Sequence, residues 1–110
     1  MSTLRNKVQL IGNLGNDPEI INLESGKTLA KFAIATNESY TNTKGEKVTD
    51  TQWHNIIAWG KTAQIIEKYV TKGKEIAIEG KLTSRSYDDK EGNKRYVTEV
   101  VCNELLMLGK

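Results

Sequence analysis

The sequence predicts an all-β domain with one α-helix, and two patterns in it lead to this fold class. Stretches of alternating apolar and polar residues are separated by nine glycines and a single proline, and such alternation is typical of strands with one buried face. Lys61–Val70 instead has apolar residues at helical spacing, namely Ala63, Ile66 and Val70. A length of 110 residues suits one domain.

The predicted strands are five long ones and a short one. The long strands are Lys7–Asn13, Thr28–Ser39, Thr51–Gly60, Lys74–Tyr87 and Arg95–Asn103, and the short one is Glu19–Leu23. Polar residues predict a loop at Tyr40–Thr49 and a charged hairpin loop at Asp88–Lys94.

The predicted helix falls between the third and fourth long strands. Five strands with one helix at this place have the connectivity of an OB-fold barrel. A five-stranded open sheet is the alternative, but it would leave exposed edges, which closure removes. We therefore expect residues 1–110 to form a single OB-fold domain.

The composition excludes several classes of protein. Sixteen basic and fourteen acidic residues give a net charge of +2, too little for a polycation that binds nucleic acid or membranes by bulk charge. One cysteine, Cys102, and one histidine, His54, cannot form an internal disulfide or a four-ligand zinc site. We expect no metal and no cofactor. The N-terminus has no apolar signal segment, and no stretch approaches the ~20 apolar residues of a membrane span, so we expect a cytoplasmic protein without a membrane partner.

The third long strand places both tryptophans on one face. Trp53, Asn55, Ile57 and Trp59 alternate with Gln52, His54, Ile56 and Ala58. A narrow five-stranded barrel accommodates Ile56 and Ala58 better than two indoles, so we expect Trp53 and Trp59 to point outward. The alternative is one buried and one half-buried tryptophan, since Trp is highly buried on average.

The fourth long strand shows a similar division. Ile76, Ile78 and Leu82 define its core face, and the opposite face carries Lys81, Arg85 and Tyr87. An ordinary solvated strand face is the alternative for the second group. Alternation points Tyr40 inward unless a bulge reverses it. Tyr69 and Tyr96 lie in hydrophobic stretches and are assigned to packing.

Exposed rings with basic residues between them suit a flexible single-stranded nucleic acid. Bases of any sequence stack on aromatic side chains at about 1–3 kcal/mol per base, and phosphates need cations nearby. Trp53 and Trp59 are six positions apart, about 20 Å along a strand, so they would hold different bases. The candidate phosphate contacts are Lys7, Lys61, Lys72, Lys81 and Arg85, with Arg95 as a further candidate.

A series of short segments identifies a family that the chain resembles. The segments are Asn6-Lys-Val, Gly12-Asn-Leu-Gly, Asp17-Pro-Glu, Ala35-Thr-Asn-Glu-Ser-Tyr40, Gln52-Trp-His, Trp59-Gly-Lys, Lys72-Gly, Ile78-Glu-Gly-Lys-Leu and Arg95-Tyr-Val-Thr-Glu-Val. Their order and spacing resemble the bacterial single-stranded-DNA-binding protein family, from about Asn6 to Gly109.

The resemblance implies an OB fold and a homo-oligomer, usually a tetramer, with single-stranded DNA wrapped over the outer surfaces without sequence preference. It implies a nucleoid-associated role in DNA replication, recombination and repair. The family's stacking positions match Tyr40, Trp53, Trp59 and Tyr87, and its basic positions match Lys7, Lys61, Lys72 and Arg85. His54 matches a position near the subunit interface.

The chain also departs from the family pattern. Tyr40 and Tyr87 stand where Trp is common, and Trp59 where Phe is common, which keeps stacking but changes ring size. Asn55 and Ser86 stand where a basic residue is frequent, which predicts weaker electrostatic binding. The sequence ends at Lys110, whereas many members continue into an acidic tail. The resemblance therefore does not extend to tail-mediated recruitment of repair and replication proteins.

Catalytic readings find little support, and we expect no enzyme. The pair Asp88-Asp89 lies in a charged turn, Cys102 is expected to be a small buried thiol, and Gly12–Gly15 lacks the Lys-Ser/Thr ending of a phosphate loop. Two binding alternatives remain open. One is an OB-fold RNA-binding module like a cold-shock domain, and the other is a primosome-type subunit that mainly binds protein.

Overall fold

The computed structural model describes residues 5–108, which form six strands and one helix. The elements are β1 (Val8–Leu14), β2 (Glu19–Asn22), β3 (Thr28–Thr41), β4 (Lys47–Trp59), α1 (Gly60–Tyr69), β5 (Glu75–Asp88) and β6 (Lys94–Leu108). Because β2 is the short strand, α1 lies between the third and fourth long strands, as predicted.

Five of the strands close into a barrel. β1 pairs with both β5 and β3, β5 pairs with β6, β6 runs parallel to β4, and β4 pairs with β3. β2 pairs with β3 and forms a short addition to the ring. This mixed five-stranded barrel with one helix confirms the predicted OB fold and excludes the open sheet.

Alternation along the strands fills the barrel. Phe32 and Ile34 of β3 and Ile56 and Ala58 of β4 are buried, and Ile66 of α1 packs into the same cluster. Burying each large aliphatic side chain contributes about 1.5–3 kcal/mol. Cys102 is buried in this core as predicted, and burial raises the pKa of its thiol to about 11.

A glycine is needed where β1 gains a second partner strand and closes the barrel. Gly12 pairs with Ile76 of β5, and the next residue, Asn13, pairs with both Glu75 of β5 and Ala35 of β3. A Cβ atom on Gly12 would lie 2.4 Å from the Ala35 carbonyl oxygen, so a side chain here would push β1 away from β3.

Two hairpins, β3–β4 and β5–β6, project beyond the barrel. The Cα radius of gyration is 16.2 Å, against about 13 Å for a compact domain of roughly this size. The loop predicted at Tyr40–Thr49 is present in shortened form, because β3 continues to Thr41 and β4 starts at Lys47. Both faces of the projecting part are exposed, so its sequence is polar without alternation.

The two hairpins close with the same turn chemistry. Asn42 Oδ1 accepts hydrogen bonds from the N–H groups of Lys44 and Glu46, each at 2.9 Å. Asp89 Oδ1 accepts them from the N–H groups of Glu91 at 3.0 Å and Asn93 at 2.8 Å. In each turn, the side-chain oxygen of the first residue therefore stabilises the backbone by accepting two N–H hydrogen bonds. The loop predicted around Gly92 is confirmed in shortened form.

Three side chains predicted to pack inside are exposed. Leu82 keeps the inward parity of β5 but is 48% exposed, because it lies beyond Gly80, the last β5 residue that pairs with β1. Tyr96, opposite Ser86 in the same hairpin, is 75% exposed. Tyr69, the last residue of α1, is 51% exposed and lies one turn after Ile65, which is also exposed. β6 also extends to Leu108 instead of ending at Asn103. Its pairing with β5 contains a bulge, with a shift of register between Glu79 and Gly80. Between residues 5 and 108 no helix is long and apolar enough to cross a membrane.

Candidate nucleic-acid interface

The outer face of β4 carries two exposed indoles. Trp53 is 60% and Trp59 43% exposed, while the alternating Ile56 and Ala58 are buried. The prediction that the Trp face points outward is therefore confirmed, and the alternative with one buried indole is wrong. Large apolar side chains exposed on one face are typical of binding surfaces.

The indole of Trp53 lies directly against the backbone of Gly15. A Cβ atom on Gly15 would lie 2.5 Å from Cζ3 and 2.6 Å from Cη2 of Trp53. The Gly15 N–H donates a hydrogen bond to the Ala33 carbonyl at 3.1 Å, which fixes this glycine beside β3. Gly15 therefore supports one side of the ring and leaves the other side open. Sequence reasoning noted the Gly12-Asn-Leu-Gly15 segment but missed this role.

A shallow cleft of about 290 Å³ lies beside the β4 residues between the two tryptophans. Its lining includes Asn55, Ile57, Lys31 and Glu99. Lys31 of β3 lies directly opposite Ile57, so it adds an amine that the sequence analysis did not single out as a phosphate contact. Lys31 alternates with the buried Phe32 along β3, so it lies on the outer face of the strand. This alternation could have identified Lys31 as a candidate phosphate contact from the sequence.

Tyr40 and Tyr87 are exposed on the two projecting hairpins, at 56% and 47%. The pairing of β3 with β4 is regular from Leu29 to Thr41, so no bulge turns Tyr40 outward. Tyr40 keeps the inward parity of the strand and is exposed because the hairpin leaves the barrel. It consequently lies on the opposite side of the β3–β4 ribbon from Trp53.

The candidate phosphate contacts fall into two groups. Lys7 Nζ lies 2.7 Å from Glu79 Oε1, and Arg85 Nε lies 3.0 Å from Oε1 of the buried Glu99. The Lys7 contact lowers the pKa of Glu79, and the Glu99 contact raises the pKa of Arg85. The ion pairs among residues 5–108 do not involve the exposed Lys61, Lys72 and Lys81.

Two further predicted residues are accounted for by local contacts. Arg95 Nε lies 2.9 Å from Asp89 Oδ2 and thus ties the base of the β5–β6 turn. His54 is half-buried, with Nε2 3.0 Å from Thr36 Oγ1. It shares the Tyr40 side of the ribbon, away from the tryptophans.

The chain is similar to proteins with a stated ligand. A model of the "Single-strand binding protein family" matches residues 5–108. "Single-stranded DNA-binding protein 1" of Chlorobaculum tepidum is 49% identical over 94% of this chain and 65% of its own length. The protein of the same name from Xylella fastidiosa is 43% identical over 96% of this chain and 78% of its own length.

A solved structure is similar over the whole fold. The structure described as "Plasmodium falciparum SSB complex with ssDNA" has a TM-score of 0.88, is 29% identical, and aligns over 99% of both chains. This chain thus spans slightly less than two thirds of the Chlorobaculum relative, but 99% of the matched chain in the Plasmodium structure. On the family match and these identities, the chain belongs to the single-strand binding protein family.

Proposed function

We propose that this protein binds single-stranded DNA without sequence preference and protects it during DNA replication, recombination and repair. The observation that carries the proposal is the pair of exposed indoles, Trp53 and Trp59, on one outer face of the barrel. They are about 20 Å apart along the strand, so each holds a different base. Each stacked base contributes about 1–3 kcal/mol, and Tyr40 and Tyr87 extend the set of rings to the hairpins.

Phosphates are bound by the basic residues around these rings. Lys61, Lys72 and Lys81 are exposed and supply charge directly, and Lys31 adds an amine beside the Trp face. Lys7 and Arg85 contact phosphate by exchanging a carboxylate partner for it. The names of the relatives and of the Plasmodium complex support single-stranded DNA as the ligand.

The proposed activity is binding without catalysis. The one thiol, Cys102, is buried, and its raised pKa of about 11 keeps it protonated at neutral pH. Asp89, the candidate carboxylate of the turn, is occupied by Arg95 and by backbone N–H groups. These contacts give both groups structural roles. We place it in the cytoplasm, associated with the nucleoid.

We also propose that the protein is a homo-oligomer. The family resemblance leads us to expect a tetramer and places His54 near the subunit interface. Ile11, Ala77 and Leu106 lie directly opposite one another on β1, β5 and β6. Ile11 is 59% and Leu106 64% exposed, and they border a cleft of about 500 Å³. An exposed apolar row across a sheet favours burial against another subunit. Light scattering should give a mass above 12.3 kDa, and a monomer at all concentrations would contradict this.

A fluorescence titration tests the binding proposal. Poly-dT should quench the emission of Trp53 and Trp59 strongly, because stacked bases contact the indoles. Duplex DNA of equal length should quench it little, since its bases are already stacked. Equal quenching by both would contradict base stacking. Stronger binding of oligo-U than of oligo-dT would favour the RNA-binding alternative instead.

A further inference from the structure

Helix α1 has a second stripe of apolar residues, which faces away from the core. Ala63 and Ile66 are buried, whereas Ile65 is 47% and Tyr69 51% exposed. The residues that line a shallow cleft of about 410 Å³ are Lys61, Gln64, Ile65, Lys68 and Tyr69. Their spacing of three and four residues places them on one face of the helix. We call this face the outer α1 stripe.

The outer α1 stripe is cationic. Its two charged residues are Lys61 and Lys68, and the Lys68 amine lies 5.4 Å from the centre of the Tyr69 ring. The acidic residue of the helix, Glu67, lines a different cleft together with Asp17. An exposed ring flanked by lysines is the same combination that the Trp face offers to bases and phosphates.

The stripe follows directly after the Trp face along the chain. α1 starts at Gly60, directly after Trp59, and Lys61 lies in its first turn. Tyr69 is ten positions after Trp59, which is roughly 15 Å along a helix at 1.5 Å per residue. A nucleic-acid strand that leaves Trp59 along the helix therefore passes Lys61 first and then Lys68 and Tyr69.

We propose that the outer α1 stripe is an additional single-stranded DNA subsite, in which Tyr69 stacks a base and Lys68 contacts a phosphate. The inference rests on the proposed DNA binding. A second copy of the chain is a poorer occupant, because a symmetric contact would bring Lys61 and Lys68 of both copies together. The lysines, and the start of the helix directly after Trp59, favour a polyanion with aromatic bases.

A relocated tryptophan reports on the subsite directly. In the Trp53→Phe/Trp59→Phe background, Tyr69→Trp is the only tryptophan, so its emission reports on this stripe alone. Long oligo-dT should quench it, with the folded state checked by thermal melting. Unchanged emission while oligo-dT binds would overturn the subsite. Quenching by an acidic peptide but not by oligo-dT would also overturn it and identify a peptide-docking surface.

A length series provides the second test. In the otherwise unchanged chain, Lys68→Ala/Tyr69→Ala should weaken long oligo-dT about 5-fold or more and leave oligonucleotides too short to extend past Trp59 unaffected. Lys90→Ala, in the β5–β6 turn, is the matched control and should change neither. Equal affinity of the double variant and the unchanged chain at every length would contradict the subsite. If the proposed DNA binding itself were wrong, oligo-dT would not quench Trp53 and Trp59 in the unchanged chain. That result differs from failure of the subsite alone, in which these two residues are still quenched.

Discussion

The outer face of β4 differs from the basic positions just before β1 and on β5 in how accessible its side chains are to a ligand. On β4, Trp53 and Trp59 are exposed, and Gly15 supports the first ring from one side. Lys7, directly before β1, is paired with Glu79, and Arg85 of β5 is paired with Glu99. The rings are open to bases before DNA arrives, whereas these two cations must first give up a carboxylate.

This difference has a consequence for the salt dependence of binding. A phosphate that replaces Glu79 or Glu99 leaves a free carboxylate, which attracts a cation from solution. That uptake offsets the cation released from the phosphate. We expect Lys61, Lys72 and Lys81 to dominate the slope of log K against log salt. The five contacts predicted from the sequence should together contribute about −2 per protomer to this slope, not the roughly −3.5 of five independent contacts, and Lys31 and Lys68 add to that contribution.

The largest expected effect is the loss of a ring. Trp53→Ala should weaken oligo-dT binding by about 1–3 kcal/mol, because one stacked base loses its partner. Fluorescence titration or anisotropy at fixed salt measures it, and light scattering checks that the oligomer is intact. Unchanged affinity together with a lost oligomer would show that the Trp face is a subunit interface instead.

The support of Trp53 comes next. Gly15→Val should weaken oligo-dT binding, but less than Trp53→Ala, because the new side chain displaces the indole without removing it. Adding Gly15→Val to Trp53→Ala should cause little further loss in a double-mutant cycle. Fully additive losses would contradict a role of Gly15 through the ring.

Removing the carboxylate partner of a paired cation should have a smaller effect on affinity, and it should strengthen binding instead of weakening it. Glu99→Gln should release Arg85, tighten oligo-dT binding at low salt and steepen the salt slope by about 0.7. Gln preserves the shape of the buried side chain and is therefore a conservative change. An unchanged slope would show that the Arg85–Glu99 pair stays intact in the complex.

The smallest expected effect separates the two groups of cations. Lys81→Ala should flatten the salt slope by about 0.7, whereas Lys7→Ala should change it less, because Lys7 is already paired with Glu79. Titrations of both variants over the same salt range measure the difference. Equal changes in slope would mean that the ion pair has no influence on binding.

The barrel could be predicted from the sequence, but the hairpin tips could not. Alternation of apolar and polar residues predicts a strand only where one face of the strand is buried. Within the barrel, β3 and β4 each have such a buried face. At Tyr40 alternation no longer predicts burial, because both faces of this part of β3 are exposed to solvent. Its exposure needs no bulge, contrary to the expectation drawn from parity.

The site shows the same limit. Strand parity was enough to predict that Trp53 and Trp59 point outward. It could not show that Lys7 meets Glu79 or that Trp53 rests on Gly15, because these residues are far apart in the sequence and meet only through strand pairing and closure of the barrel. Tyr69 was misassigned because a hydrophobic stretch on a helix does not tell which apolar residue faces the core.

The most direct measurement compares the unchanged chain with Trp53→Ala in about 1 M salt, where the Debye length falls to roughly 3 Å. If the open rings provide the larger part of the affinity, poly-dT still quenches the unchanged chain, although more weakly, and Trp53→Ala binds measurably worse. Loss of all binding in the unchanged chain at high salt, together with equal affinities of both proteins at low salt, would contradict a stacking-dominated interface.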